Sequence, residues 1–343
     1  MIRFLLVVLF FPFSTNTFSH HSVAGIFDSD IQLIIEGTVT DVVWRNPHVH
    51  FTIATSKNNE IIAWDVEITS LSTLRRRKIE SNFIEIGDKI SVAGNPSRSG
   101  SNEIYVRNIL LPSGSEIILE NSSSAVFDNQ HIIGLSQLER AGDGSSPDKG
   151  IFRVWSTAIN AGTGLWLSKY PLTENARKAR EEFDPVKDGI TANCRAKGMP
   201  TIMEQPYPME FVQQTNGNIL INLEEYNTTR VIHMTSDTKK SSEEKNRLGI
   251  SYGKWEGSSL VVKTTNINWP HFDRDGIPLS EEVEIEEYFT LSEDGSRLDY
   301  RMHLTDPINF TSPIVLGSEE GKHWLWYPEI KVEPFNCIVD SDT

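Results

Sequence analysis

Hydrophobic and polar residues alternate along much of the chain with the two-residue period of β-strands. In the first third of the chain, this pattern predicts strands at 31–44, 48–54, 61–66, 87–94 and 103–111, with a short helix at 70–78. Three strands, a helix and two strands is the order of an OB-type Greek-key barrel. Gly37 interrupts the first strand and is predicted to mark a bulge or bend.

The second half carries the same period over a longer stretch. Strands are predicted at 211–212, 218–223, 230–234, 249–255, 259–265, 282–291 and 298–305, with glycine-containing turns between several of them. One helix is predicted from Pro171 to Phe183. The fold class is therefore mostly β: an OB-like five-stranded barrel, followed by an antiparallel β-barrel or meander domain with one or two short helices.

Composition divides the chain into four parts. Arg3, the apolar run 4–11 and the small or polar residues up to Ser19 follow the order of a secretory signal. We expect cleavage after Ser19, and the alternative is an uncleaved N-terminal anchor. A Ser- and Gly-rich stretch predicts a linker. The predicted parts are a signal peptide at 1–19, the OB-like domain at 20–112, a linker at 113–149 and a barrel-like ligand-binding domain at 150–343.

Charge limits the partners that we expect. The formal net charge is −15, which repels nucleic-acid phosphates and anionic lipid surfaces. The one basic cluster, residues 75–78, is predicted to be the exposed end of a helix. No stretch after the signal is long and apolar enough to span a bilayer. We therefore expect a periplasmic or secreted protein without a nucleic-acid partner.

The chain has two cysteines, Cys194 and Cys337. In an oxidising compartment such a pair is more often bridged than free, and the bridge would close a long loop within the second domain. Two buried, unpaired thiols are the alternative. The absence of CxxC spacing argues against zinc or redox chemistry.

Short motifs in both halves carry a family resemblance. The first half contains His20-His21-Ser22, Glu36-Gly37-Thr38-Val39 and Trp44-Arg45-Asn46-Pro47-His48. Over most of 20–112 these motifs resemble a family of bacterial exported domains of unknown function. The second half resembles an uncharacterised lipocalin-like companion domain, in the segments 198–200, 206–210, 253–257 and 260–262. The resemblance implies no activity for either half.

Histidines near the predicted mature N-terminus form a candidate metal site. Cleavage after Ser19 would give His20 a free amine beside its imidazole, and that pair chelates Cu(II). His48 and His50 are two residues apart on a strand and so share one face. The predicted metal ligands are His20, His21, His48 and His50, with copper as the candidate cofactor. In the alternative interpretation the His-His terminus is free and His48 caps a turn.

Aromatic residues are concentrated in the second domain, which holds six of the eight tryptophans. Around a barrel cavity they would suit an apolar or aromatic small molecule. The predicted ligand-binding residues are Trp255, Trp269, Tyr288, Trp326 and Arg230. The alternative is ordinary core packing, since tryptophan is mostly buried in any fold.

The same domain carries residues capable of acid–base chemistry. A histidine beside a carboxylate can move protons near neutral pH. The predicted catalytic residues are Glu225, Tyr226, His233, His271, Asp273 and His303, which would fit a cofactor-independent isomerase, cyclase, dehydratase or hydrolase. The alternative is that they are solvated strand and loop residues. The leading hypothesis is small-molecule binding with acid–base turnover, and its rivals are a copper-binding protein and a structural envelope protein.

Overall fold

The computed structural model describes residues 23–57, 59–120, 123–127, 131–136, 149–157, 165–167, 169–184, 188, 194–204, 206–234, 244–317 and 323–337. The predicted signal peptide lies outside these described residues, as do His20 and His21 of the candidate metal site. The described chain forms two closed β-barrels, one of five strands and one of nine.

The first barrel follows a short helix α1 (Val23–Ile26). Its strands are β1 (Leu33–Val43), β2 (Val49–Lys57), β3 (Glu60–Ile68), β4 (Lys89–Pro96) and β5 (Glu103–Leu110), with helix α2 (Leu71–Arg76) between β3 and β4. The strands are ordered β3-β2-β1-β4-β5, and a parallel pairing of β3 with β5 closes the barrel. Two short strands, β6 (Glu116–Ile118) and β7 (Ile132–Ile133), extend the sheet from β5. The predicted OB order is confirmed.

Alternation sets the core of the first barrel. Val49, Phe51 and Ile53 of β2 point inwards and are buried, while the residues between them lie on the outer face. The bulge predicted at Gly37 is wrong, because the β1–β2 register shifts between Val39 and Asp41. Gly37 serves a close approach instead: a Cβ there would lie 2.8 Å from the carbonyl oxygen of Ala54.

The second barrel is formed by nine strands, and the helix predicted at 171–183 is α3 (Glu174–Glu182), which is capped by Thr173. The strands are β8 (Val154–Thr157), β9 (Met209–Gln213), β10 (Ile219–Leu223), β11 (Thr228–His233), β12 (Ile250–Glu256), β13 (Ser259–Thr265), β14 (Glu284–Leu291), β15 (Arg297–Thr305), β16 (Ile314–Leu316) and β17 (His323–Leu325). Their order is β14-β13-β12-β11-β10-β9-β8-β17-β15, closed by β14 with β15, while β16 pairs with β15 alone.

Two features of this barrel differ from a simple meander. β11 and β12 pair in parallel, whereas strands that follow each other in a simple meander are antiparallel. β8, β16 and β17 have three or four residues each, too few to show a period in sequence. The mostly-β fold class is nonetheless confirmed. None of the helices in the described part of the chain has the length and apolar character needed to cross a membrane.

The interior of the second barrel contains one ion pair. Arg230 of β11 and Glu287 of β14 are 1% and 0% exposed, and their side chains join in a two-pronged contact. Ser251 and Thr264 accept from the guanidinium, and the Tyr300 hydroxyl donates to Glu287 at 2.7 Å. Burial alone would lower the pKa of Arg230, but Glu287 outweighs it and the net pKa is raised. Each charge therefore compensates the other for the hydration that it loses on burial.

Removing one charge of this pair should destabilise the protein strongly. We expect Glu287→Gln to lower the free energy of unfolding by about 3–5 kcal/mol, because it leaves the Arg230 cation buried without its counterion. Urea unfolding followed by tryptophan fluorescence measures this. Glu284→Gln is the matched control on the same strand: its partner is Lys263 and both side chains are 56% exposed, so the expected loss is about 1 kcal/mol or less. Equal losses in the two variants would contradict the prediction.

Candidate functional site

The two barrels meet over a buried carboxyl group, that of Glu224 in the turn after β10. Glu224 is 0% exposed. Its Oε1 accepts hydrogen bonds from the Asn46 amide at 3.1 Å and the Ser72 hydroxyl at 2.5 Å, both from the first barrel. Its Oε2 accepts the backbone N–H of Glu333 at 2.8 Å. One side chain thus joins the second barrel to the first barrel and to the C-terminal part of the chain.

Asn46 and helix α2 form the face that the first barrel presents to Glu224. Asn46 lies in the β1–β2 turn, ahead of a cis Pro47. Its side-chain oxygen accepts the backbone N–H of Leu71 at 3.0 Å, one of the helix amides that lack a partner within the helix. Ser70 caps the same helix through the Thr73 N–H. The turn and the helix are therefore held to each other by their own hydrogen bond, in addition to their bonds to Glu224.

The basic cluster at 75–78 was predicted to be exposed, and for Arg76 and Arg77 this is wrong, since they are 5% and 3% exposed. Arg76 enters the second barrel, where its guanidinium donates to the Ser156 hydroxyl at 2.8 Å and the Pro206 carbonyl at 3.1 Å. Burial lowers its pKa. Arg77 turns back and donates to the Ile118 carbonyl. The cluster docks the domains, which sequence cannot distinguish from a solvated helix end.

A C-terminal segment, residues 330–337, runs along the junction, and we call it the strap. Glu333 forms an ion pair with Arg75 of α2, and Phe335 makes a parallel β-bridge with Asn46. On the other side, the Asn227 side chain donates to the Phe335 carbonyl at 2.8 Å and accepts its N–H at 3.0 Å. The strap therefore contacts both barrels through backbone and side-chain groups.

Burial dominates the electrostatics of Glu224. Loss of hydration raises its pKa to about 7, against the opposing effects of the Ser72 hydroxyl, the Glu333 N–H and the Arg76 cation. Tyr207, packed nearby, has its pKa raised well above the usual value by burial, with the charges of Glu225 and Glu224 adding to the shift. The junction is thus a low-dielectric site whose central carboxyl gains or loses a proton near neutral pH.

Glu225 and Tyr226, two of the predicted catalytic residues, lie beside this junction. Glu225 is 5% exposed and pairs with Lys197, whose Nζ lies 2.8 Å from its Oε1. Tyr226 and Asn227 both have left-handed backbone, with φ of 55° and 47°, a conformation that costs free energy in residues other than glycine. This turn presents Asn227 to the strap.

The other predicted catalytic residues are dispersed. His233 packs against Tyr252 at 5.6 Å between ring centroids, and His303 packs against Tyr288 at 5.2 Å. His271 lies 5.2 Å from Trp269, and burial together with Arg195 lowers its pKa. Asp273 accepts the backbone N–H groups of Asp275 and Ile277 and so shapes its own loop. The six predicted acid–base residues do not converge.

The predicted ligand-binding residues also separate. Arg230 is in the interior ion pair, Trp269 is buried with its indole N–H on Thr201, and Tyr288 lies on the outer face of β14. The middle of the barrel is packed: inward-facing Phe211, Leu260, Phe289, Tyr300, Met302 and Trp324 are each 2% exposed or less. Side chains around a ligand-sized cavity would retain accessible surface, so these residues form a filled core.

Two of the predicted ligand residues remain together at one end of the second barrel. Trp255 continues the inward-facing series of β12 but is 44% exposed, and Phe152 meets it edge-on at 6.3 Å. Next in sequence, the Arg153 guanidinium lies 4.0 Å from the ring centroid of Trp326 and donates to the Gly295 carbonyl. We call Phe152, Arg153, Trp255 and Trp326 the barrel mouth.

Of the four predicted metal ligands, His48 and His50 lie within the described residues. Both lie on the outer face of the first barrel; the Nδ1 of His48 is 2.9 Å from Glu67, and that of His50 is 3.9 Å from Asp65. Burial would lower the pKa of His48, but Glu67 outweighs it and the pKa is raised. Within the described ranges, no three or more His, Cys, Asp or Glu side chains group closely enough to hold a metal ion.

Sequence reasoning missed the centre of the junction. Glu224 is the first of two adjacent glutamates after an alternating strand, and the amide of Asn46 lies in a recognised motif. Neither pattern indicates a contact 178 residues apart in sequence. The two cysteines are joined in a disulfide at the end of the strap, which was the one sequence signal for a long-range contact there.

Glu224 should make the stability of the protein depend on pH. Its pKa is about 7 when folded and 4.5 when hydrated, so the folded state binds the proton more tightly. Glu224 therefore lowers stability as pH rises from about 4.5 to about 7, by about 3 kcal/mol in total. Glu224→Gln cannot ionise and should remove this loss. Urea unfolding at pH 5 and pH 8 should show the variant gaining stability relative to wild type at the higher pH.

A second variant tests the cause of that pH dependence. Ser72→Ala removes a donor that favours the ionised carboxylate, so the pKa of Glu224 in the folded state should rise further. The loss of stability should still begin near pH 4.5, but it should continue to higher pH than in wild type. If Glu224→Gln follows the wild-type pH dependence in parallel, Glu224 does not titrate at the junction.

One family model matches the region of the first barrel. Residues 9–105 match a family described as a family of unknown function (DUF6152), which includes most of the five-stranded barrel. A search of curated proteins finds no match. Two crystal structures of the mitochondrial single-stranded DNA binding protein Rim1 from S. cerevisiae are similar to part of the chain, with 9% and 10% identity and a TM-score of 0.20 for each. They cover 24% of this chain and 93% and 92% of the Rim1 chains. Residues 9–105 of this chain are thus similar to a family without an assigned function.

Proposed function

We propose that the protein binds an apolar or aromatic small molecule at the barrel mouth, and that it does so in the periplasm or outside the cell. One observation carries the proposal: Trp255 is 44% exposed although its strand position faces inwards. In the same series, Ser251 is 1% exposed. An inward-facing indole left partly uncovered at the end of a packed barrel is a ready contact surface for a flat apolar ligand.

The neighbours of Trp255 support a rigid binding surface. Phe152 holds an edge-to-face position against Trp255, and Arg153 covers Trp326. Aromatic rings in such pairs have few side-chain torsions to lose when a ligand binds. The filled barrel interior supports a site at the mouth in place of a central cavity. No catalytic step is part of the proposal, since the predicted acid–base residues lie elsewhere.

The small size of the mouth and the net charge of the chain favour a small molecule over a macromolecule. A stable protein interface buries about 800 Å² on each partner, whereas one aromatic side chain contributes about 150–250 Å². The net charge of −15 opposes nucleic acid. On the first barrel, the outer-face residues of β3 include Asp65 and Glu67, where a single-strand binder would need cations.

The proposed location rests on the N-terminal pattern and the disulfide. The charged, apolar and small-residue order at 1–19 is that of an export signal. The disulfide between Cys194 and Cys337 suits an oxidising compartment.

Removing the exposed indole should weaken ligand binding. We expect Trp255→Ala to raise the Kd of the uncharged aromatic dye N-phenyl-1-naphthylamine by about tenfold or more, because truncating a central aromatic contact costs about 2 kcal/mol or more. Dye fluorescence titration of the full chain measures this. Tyr288→Ala on the outer face of β14 is the matched control, with a change of about twofold or less.

Two results would overturn the proposal. One is equal dye binding by wild type and Trp255→Ala, and the other is a greater loss in Tyr288→Ala. Native mass spectrometry of protein purified from its own cells gives an independent test. A bound organic molecule that is lost in Trp255→Ala supports the mouth, whereas a bound copper ion alone would favour the copper-binding alternative.

A further inference from the structure

The strap contacts both barrels. Towards the first barrel, the backbone N–H of Asn336 donates to the Asn46 carbonyl at 3.2 Å. This bond belongs to the parallel bridge between Phe335 and Asn46, and the ion pair between Glu333 and Arg75 lies just upstream of it in the strap. The strap therefore contacts both the β1–β2 turn and helix α2.

Towards the second barrel, the strap is held by rings and by an amide side chain. The Phe335 ring lies 5.3 Å from Tyr207 and 4.8 Å from Tyr226, measured between centroids. Asn227 pairs with both polar groups of the Phe335 backbone. Phe335 is 5% exposed. Its burial is the apolar contribution of the strap to the junction.

Both ends of the strap are attached to the second barrel. Upstream, Trp324 of β17 is buried in the barrel core. Downstream, Cys337 is bonded to Cys194, across a separation of 143 residues in sequence. The segment that carries Cys194 is itself fixed, because Lys197 pairs with Glu225 and its carbonyl accepts from Arg247 at 2.5 Å. The disulfide therefore attaches the strap, two residues after Phe335, to a segment of the second barrel that is held by its own contacts.

We propose that the Cys194–Cys337 disulfide is a redox-controlled lock that holds the strap between the barrels, and that its reduction releases the first barrel from the second. The reductant is a dithiol. One of its thiolates attacks a sulfur of the bridge to form a mixed disulfide, and its second thiol completes the exchange. Two electrons and two protons pass to the cysteines, which become thiols, while the reductant becomes a disulfide. Both cysteines are partly exposed, as such exchange requires.

The closed disulfide acts by keeping the strap positioned in the junction. With the bridge closed, the strap is tethered on both sides of Glu333 and Phe335, so little chain entropy is lost when it lies in the junction. With the bridge open, Cys337 is no longer bonded to the second barrel, and the ordering cost must be met by the strap contacts themselves. Independently of the strap, the described residues still join the barrels through hydrogen bonds of Asn46 and Ser72 to Glu224 and of Arg76 to Ser156.

Hydrogen–deuterium exchange of the full chain, with and without dithiothreitol, tests the lock. After reduction, we expect peptides from the β1–β2 turn and helix α2 to exchange about tenfold faster or more, since undocking exposes amides that the junction protects. Peptides from β13 and β14 should be unchanged. The double variant Cys194→Ser/Cys337→Ser should match the reduced wild type without reductant.

A variant with an intact disulfide separates the strap from the bridge. Phe335→Ala removes the ring between Tyr207 and Tyr226, and it should speed exchange in the same turn and helix peptides. Val315→Ala, at a residue that is 45% exposed on β16, is the control and should change neither region. Two results would overturn the proposal: equal protection of α2 in the oxidised and reduced protein, or loss of protection in β13 and β14 together with α2. The second result would mean that the bridge holds the barrel itself.

Discussion

The arrangement of the two barrels depends on the burial of the Glu224 carboxyl group, which loses its contact with water. A carboxyl group removed from water must be compensated by donors, and here the donors come from three separate parts of the chain: Asn46, Ser72 and the backbone of Glu333. None of them can leave without cost to the carboxyl. This desolvated group therefore links the relative position of the barrels to the path of the strap, in the way that buried polar groups specify a unique arrangement.

The two ends of the second barrel have different roles. Glu224 lies just before the start of β11, whereas Trp255 lies near the end of its parallel neighbour β12, so the junction and the mouth are at opposite ends. Between them lies a filled core with the Arg230–Glu287 pair. Docking of the first barrel thus leaves the exposed indole uncovered. The proposed binding at the mouth and the proposed redox lock at the junction can therefore be tested separately.

Periodicity predicted the elements well and their long-range contacts poorly. The five strands and the helix of the first barrel were found because each alternates over enough residues, and their local order indicated the OB-like closure. The three shortest strands of the second half were missed because three or four residues carry no period. The roles of Arg76 and Glu224 were missed for another reason: whether a charged residue faces water or a second domain is decided by packing that has no local signature.

Glu224 is buried between two docked barrels, and the titration of its own carboxyl group measures that burial. Carbon-detected NMR of the Glu224 side-chain carboxyl, assigned by comparison with Glu224→Gln in the oxidised full chain, gives the pKa of that group. We expect a pKa of about 7, raised by burial against the opposing effects of the Ser72 hydroxyl, the Glu333 N–H and the Arg76 cation. A pKa close to the hydrated value of 4.5 would mean that water reaches the carboxyl and that the barrels do not close over it.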